Sequence, residues 1–303
     1  MLHDDVLDAL EVHLEPFALC EIRGDGSLGL GRRTHAVLHY VLAGQGSVTV
    51  DGRPAISARA GSVILIPAFA AHSIHASGGD PGAVPDCRPI EAGLQHLVAG
   101  TGPTALAAVC GRIAVAYRGM KGTIDLLRAP LVEHLAPDDR VRGALDDFVA
   151  ELASPTVGSR ALARSLLLQC VIILLRRRLN QGDPSMHWMR GLGDEALWPP
   201  LRSMLDNPER GHTVDSLATL AGLSRSIFAE RFHAAYGSGP IDVLRSIRLR
   251  RAAELLSRSD LPVKRVASLV GYRSRSYFSR AFLDAHGVSP DAFRRSLVEV
   301  VQS

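Results

Sequence analysis

The sequence predicts an α+β protein of two domains: an N-terminal β-barrel or sandwich carrying a pair of helices, then an all-α domain holding two helix-turn-helix units. Two stretches, TVDSLATLAGLSRSIFAERF (213–232) and LPVKRVASLVGYRSRSYFSRAF (261–282), repeat one pattern of short amphipathic helix, glycine turn and second helix. Residues 17–118 divide into short apolar runs separated by Gly, Asp and Pro, as strands joined by turns do. Between these regions, residues 141–155 and 159–182 carry apolar residues at helical spacing. At 303 residues with 47% apolar content, the chain has room for two domains and connecting helices.

In the first repeat Val214, Leu217, Ala218 and Leu220 recur at helical intervals, Gly222 serves the turn, and Leu223, Ile227, Phe228 and Phe232 resume the stripe. The second repeats the register with Val266, Ala267, Leu269 and Val270, then Gly271, then Tyr272, Tyr277, Phe278, Ala281 and Phe282. Ser224 and Ser274 stand where N-caps belong. IDVLRSIRLRRAAELLSRS (241–259) reads as a connecting helix, with Val243, Leu244, Ile247, Leu249, Ala252, Leu255 and Leu256 on its buried side. One such hairpin is common in all-α domains; two in register point to DNA binding. Charge agrees: residues 200–303 hold sixteen Lys or Arg against ten Asp or Glu, and residues 1–199 eighteen against twenty-one.

The outward residues in the first turns of each second helix are the ones that enter the major groove. They are Arg225, Ser226, Ala229 and Glu230 in the first unit and Arg275, Ser276, Ser279 and Arg280 in the second. Arg275 and Arg280 suit guanine or phosphate, and Glu230 suits cytosine N4. Tyr277, Phe278, Phe228 and Phe232 are expected in the core.

The segment Thr213–Arg294 resembles the DNA-binding domain of the AraC/XylS family of transcription regulators, above all in VASLVGYRSRSYFSRAFLDAHGVSPDAFR (266–294). YGSGP (236–240) is the matching exit of the first unit. The resemblance implies a cytoplasmic, sequence-specific regulator, an activator by family habit, with operator DNA, RNA polymerase and a small-molecule effector as partners. A non-specific architectural DNA protein is the alternative, told apart by indifference to operator sequence.

VLHYVLAGQGSVTVDG (37–52) reads as strand, glycine turn and alternating strand, ending in the hairpin signal Asp51-Gly52. Residues 53–77 continue with strands broken at Gly61 and Pro67, and ALAAVCGRIAVAY (105–117) adds another. Gly44-x-Gly46, Asp51-Gly52, Gly61-x5-Pro67, His72 and VCGR (109–112) resemble a cupin, the sensory barrel at the N-terminus of many AraC-type regulators. Cupins are often metal enzymes, and His35, His39, His72 and His75 are imidazoles of the right chemistry. The metal-binding pattern begins His-x-His with a following Glu, whereas THAVLHYVLAG (34–44) offers His-x-x-x-His and no carboxylate. No metal, no cofactor and no enzyme activity are expected; a metal-dependent cupin enzyme is the reading set aside.

For the effector, CEIRGDGSLGLGRR (20–33) places Arg23, Arg32 and Arg33 around four glycines, with Asp25 and Ser27 as hydrogen-bonding groups. It loosely resembles the cyclic di-GMP motif of PilZ domains, but Leu30 replaces the final Gly and the upstream arginine pair is missing. The expected effector site comprises Arg23, Asp25, Ser27, Arg32, Arg33, His39 and His72, with cyclic di-GMP as one occupant. Cys20 and Cys110 fall where cupins of this type in oxidant-responsive regulators carry their cysteines, which gives redox sensing as the alternative.

In the second helical stretch Ser159 is the expected cap, Leu162, Leu166, Cys170, Ile173 and Leu174 form one stripe, and Leu167, Leu168, Val171, Ile172 and Leu175 the other face. A helix apolar on most sides packs on the barrel and on its twin in a homodimer. The run 161–175 is too short for a bilayer and contains Arg164, and the N-terminus lacks a signal pattern. Four cysteines without a Cys-x-x-Cys pair suit a reducing compartment. The expected boundaries are 1–136 for the effector-sensing barrel, 137–181 for the dimerisation helices, 182–197 for a linker and 198–303 for the DNA-binding domain.

Overall fold

The computed structural model describes residues 2–31, 35–51, 53–68, 70–76, 86–88, 95–118, 120–121, 127, 129–183 and 186–295. The chain forms two compact units: Leu7–Met186, and His187–Ser303 together with Met1–Val6. A short helix α1 (Leu2–Asp8) opens the chain.

The first unit is a nearly closed barrel. Its strands are β1 (Leu10–Arg23), β2 (Ser27–Leu30), β3 (Val37–Val50), β4 (Ile56–Arg59), β5 (Ser62–Ile66), β6 (His72–Ala76), β7 (Asp86–Arg88), β8 (Gln95–Gly100), β9 (Thr104–Tyr117), β10 (Met120–Lys121) and β11 (Leu131–His134). They run β11-β5-β3-β9-β1-β8-β7, with β10 beside β9, β4 and β6 beside β3, and β2 beside β6. The interior is filled by Cys20, Ile22, Leu28, Val41, Val48, Ile64, Ile66, Ile74, Leu106, Ala108 and Cys110, among others. Inward and outward residues alternate along each strand, as the pleat requires.

One expectation is corrected at β3. The glycines of Gly44-x-Gly46 do not make a turn: β3 is one strand of 14 residues, with an irregularity in its pairing to β9 between Val41 and Ala43. Gly44 adopts φ +79°, and a Cβ there would collide with the Ala105 carbonyl, as one at Gly46 would with that of His75. Glycine here marks a bulge and close backbone approach. The bend carries β3 from partners β5 and β9 to partners β4 and β6. Gly52, half of the expected hairpin signal, lies outside the described residues; Gly61 does turn the chain between β4 and β5, at φ +85°.

Helices α2 (Arg140–Ala153) and α3 (Ser159–Asn180) pack together and α3 lies on β1. Asp139 caps α2 by accepting from the Val141 amide, and its carboxylate takes both guanidinium nitrogens of Arg177 at 2.7 and 2.8 Å. The Tyr40 hydroxyl donates to Asp146 Oδ1 at 2.6 Å, and Phe17 meets Phe148 edge-on. Ser159 is the first helical residue rather than the cap: Gly158 holds the cap position at φ +90°, and Ser159 Oγ accepts from the Thr156 amide. The buried side of α3 is Ala163, Leu167, Cys170, Val171, Leu174 and Leu175. Of the expected stripe, Cys170 and Leu174 are buried within the chain, Leu162 is 49% exposed, and Leu166 and Ile173 are half-buried. No helix among the described residues is long and apolar enough to cross a membrane.

The second unit is all helical: α4 (His187–Leu192), α5 (Trp198–Asp206), α6 (Val214–Ala221), α7 (Arg225–Tyr236), α8 (Pro240–Arg258), α9 (Val263–Leu269), α10 (Arg275–His286) and a final turn over residues 290–295. The stretch 182–197 is therefore not an open linker throughout. Helix α4 packs on α7, where Tyr236 occupies the space a Cβ at Gly191 would need.

Replacing Gly44 by Ala should strain φ and force the Ala105 backbone away. The barrel is expected to lose about 2–4 kcal/mol, read from its urea midpoint, whereas Gly29→Ala, with open space around it, should be close to neutral.

Candidate nucleic-acid interface and effector site

Two hairpins, α6–α7 and α9–α10, are built alike, and each begins and ends for identifiable reasons. Thr213 and Ser216 form a reciprocal capping box at α6, and Gly222 closes it at φ +64°. Ser224 and Ser274 cap α7 and α10, accepting from the amides of Ile227 and Tyr277, as the sequence predicted. Gly237 and Gly287 end these helices in the left-handed conformation. The connecting helix α8 buries Val243, Leu244, Ile247, Leu249, Ala252 and Leu256; Leu255 is half-buried.

Phe228 and Phe232 in the first unit, with Phe278 and Phe282 in the second, are fully buried and hold each second helix against its domain. That packing leaves Arg225, Ser226 and Glu230 exposed on α7, and Arg275, Ser276 and Arg280 exposed on α10. Ala229 and Ser279 are half-buried between these faces. Tyr277 is corrected: it is 55% exposed, and Ile227, fifty positions earlier in the matching place, is 54% exposed. Each sits beside the Phe that takes the core position, so the outward first turn carries a bulky apolar group as well as polar ones. Such a group suits a thymine methyl.

The faces differ in charge. Arg225 lies 3.2 Å from Asp215 and Arg275 3.7 Å from Asp291, while Glu230 on α7 faces solvent where α10 has Arg280. Arg231 is not part of the reading face; Asp194 grips it at 2.6 and 3.0 Å and thereby ties α7 to the segment before α5.

In the barrel, His39 and His72 converge. Their Nε2 atoms are 2.9 Å apart, and His72 Nδ1 contacts the Ala70 carbonyl at 3.1 Å. His39 is completely buried, and its Nδ1 finds no partner among the described residues. Cys110 stands directly across from His39 on β9, and Cys20 is its diagonal neighbour on β1. Burial, then the neighbouring Cys20 thiol, pushes the Cys110 thiol well up. His75 lies on the other face of β6 and meets Thr49 Oγ1 at 2.9 Å; His35 precedes β3. Among the described residues no group of three or more His, Cys, Asp or Glu is placed to hold a metal ion.

The expected anion cradle does not assemble among the described residues. Arg23 is paired with Glu21 at 2.8 Å. The amides of Gly24 and Gly26 already donate to Pro103 and Arg23 carbonyls. Ser27 is buried on the side of β2 opposite the core residue Leu28, with its Oγ unpartnered, and Asp25 is exposed at the turn. Arg32 and Arg33 lie outside the described residues.

Burial, then His72, holds the His39 imidazole well below its usual range. The unfolded chain therefore takes up a proton that the barrel refuses, so this contribution to stability is whole above about pH 6.5 and declines as pH falls below it. The barrel transition should move to lower temperature between about pH 7 and about pH 5.5, and less so in His39→Gln, which keeps a donor for His72. An equal shift in both proteins would remove His39 as the cause.

A helix-turn-helix domain profile matches residues 217–296 and a cupin profile residues 4–180. The RCS-specific HTH-type transcriptional activator RclR of Escherichia coli (strain K12) is 26% identical over 280 residues, covering 91% of this chain and 90% of that protein. The HTH-type transcriptional regulator AlkR of Acinetobacter baylyi is 24% identical over 314 residues, 96% and 97% of the two chains. The relatives are named transcription regulators, not enzymes. The crystal structure of ToxT from Vibrio cholerae O395 bound to (E)-4-(8-methylnaphthalen-1-yl)but-3-enoic acid superposes with a TM-score of 0.50 at 12% identity, covering 95% of this chain and 99% of that one. That likeness is one of fold. With a cupin profile spanning most of the first unit and a helix-turn-helix profile spanning both hairpins of the second, the chain belongs to the AraC family of DNA-binding transcription regulators, with a cupin-like ligand-binding domain.

Proposed function

We propose that this protein is an effector-responsive, sequence-specific activator that works as a cytoplasmic homodimer, meets RNA polymerase at its promoter, and reads its operator with α7 and α10. The observation that carries the reading is the pair of capped second helices, each held by two buried phenylalanines and each turning its first-turn polar residues to solvent. Arg225, Ser226 and Glu230 read with the first, Arg275, Ser276 and Arg280 with the second, and Ala229 and Ser279 set how closely the helices approach. The second helix contributes more affinity because Arg280 stands where the first has Glu230. For the dimer, Leu162, Leu166 and Ile173 of α3 form a ridge left partly uncovered within the chain.

Arg280→Ala or Arg275→Ala should weaken operator binding by about 1–3 kcal/mol with the fold unchanged. Electrophoretic or anisotropy titration checks this, and unchanged affinity in both variants would take α10 off the DNA.

The effector domain senses through the barrel interior. The favouring observation is the thiol pair Cys20 and Cys110 on neighbouring strands beside His39 and His72. A two-electron oxidant such as a peroxide or hypohalous acid would convert one thiol to a sulfenic acid; the second thiol would displace water from it, closing the disulfide. The two thiols stand on adjacent strands, close enough for Cys20 to shift the Cys110 thiol, so the bond would lock β1 to β9 inside the barrel. No cofactor or metal is required. Mass spectrometry of the oxidised full chain should find the Cys20–Cys110 link, and DNA affinity should change with it in the wild type but not in Cys20→Ser. Oxidation that leaves both thiols free sinks this sensing route.

For an anionic nucleotide such as cyclic di-GMP, the remaining support is the charge of Arg32 and Arg33. Calorimetric titration tests it: saturable binding lost in Arg32→Ala/Arg33→Ala supports that effector, and absence of heat discards it.

A further inference from the structure

The two hairpins are not identical copies. Gly222 and Ser224 of the first turn are separated by Leu223 alone, whereas Gly271 and Ser274 of the second enclose Tyr272 and Arg273. Arg273 is the added residue, and it lines a cleft of about 680 Å³ within the DNA-binding unit. The other charged residues lining the cleft include Arg248, Lys264, Arg275 and Glu209, four cations with Arg273 against one carboxylate.

The cleft is held rigid. Arg248 donates from Nε to the Pro208 carbonyl and from Nη2 to the Arg210 carbonyl, each at 2.7 Å. Gly271, at φ +85°, lets the Glu209 backbone approach so closely that a Cβ would lie 2.8 Å from the Glu209 carbonyl oxygen. With Arg248 thus engaged, Lys264 and Arg273 are exposed cations with no ion pair among the described residues. Tyr272 also lines the cleft, 8% exposed, and its hydroxyl is sealed from solvent, so it forms wall and leaves the grip to the two exposed cations.

We infer that this cleft seats a phosphate of the DNA backbone, gripped by Lys264 and Arg273. The inference rests on the reading of α10 as a groove-entering helix, and Arg275 links the two: it is the first residue of α10 and also part of the cleft wall. A duplex that receives α10 in its major groove carries its sugar-phosphate backbone past the residues just before the helix. The cleft is open rather than enclosed, as a polymer's backbone requires. Its contacts carry no base information, so they add affinity and fix register.

The test is fluorescence anisotropy of the full chain on a random-sequence duplex of about 40 base pairs, repeated across a salt series. Lys264→Gln/Arg273→Gln should make the plot of log affinity against log salt shallower by about two and weaken random and operator DNA by the same factor. Arg273→Gln alone should make that plot shallower by about one with the melting temperature retained, because the exposed Arg273 has no ion pair among the described residues. Wild-type slope and affinity in both variants would overturn the inference. Arg280→Ala serves as the reference: a loss confined to it leaves α10 as reader and removes the cleft, whereas a loss confined to the cleft variants does the reverse. Pyrophosphate binding that disappears in the cleft variants while their DNA binding is unaltered would assign the cleft to a small anion and reject the backbone phosphate.

Discussion

The barrel depends on one strand serving two sheets. Among the described residues β3 is hydrogen-bonded to β4, β5, β6 and β9, and it buries His39, Val41, Val48 and Val50 along its length. Two glycines make that possible, since the backbones of Ala105 and His75 pass where side chains would stand. The same strand places His39 opposite Cys110 and presents Tyr40 outward to Asp146 of α2. Interior chemistry and one of the ties to the helical pair thus lie on a single element, while β1 carries α3 and the Phe17–Phe148 contact. A rearrangement between β9 and β3 cannot stay local, because a packed interior shifts between discrete arrangements.

The DNA-binding unit solves a different problem: presenting two short helices rigidly with little core of their own. Each hairpin is anchored by two phenylalanines, and the aromatic contacts continue from Phe278 through Phe282 to Phe293. Caps at both ends of α7 and α10 remove the need for long helices. Duplication then permits divergence on the outward face, where Glu230 matches Arg280 and Arg231 is withdrawn into a pair with Asp194. The two outward faces thus differ in charge while sharing one scaffold.

Much of this was legible because the helical signals are strong. Ser224, Ser274 and Gly222 are local punctuation whose meaning does not depend on tertiary context, and α8 follows its apolar spacing; Gly271 adds a close approach to the Glu209 backbone that only the fold reveals. The misses have local causes. Tyr277 and Phe278 are adjacent, and neighbours on a helix point about 100° apart, so only the one in line with Phe282 enters the core. Gly44-x-Gly46 reads equally as a turn or a bulge until the partner backbones are known. Ser27 and Leu28 alternate, and their order decides which faces the core. Arg23 stands two residues from Glu21 on the same strand face, a signal of pairing that was present in the sequence, whereas the engagement of the Gly24 amide by Pro103 is a long-range contact that no local pattern announces.

Control of DNA binding needs little energy from such a design. Tenfold in operator occupancy corresponds to about 1.4 kcal/mol of differential binding between two arrangements. The thiol and histidine pairs proposed as sensing elements are buried inside the barrel. On the proposed reading the requirement falls on the barrel rather than on α7 and α10. Since both helices are capped and packed in the free chain, an effector would have only to change how they are offered to a duplex, and the entropy cost of forming them has been met in the fold itself.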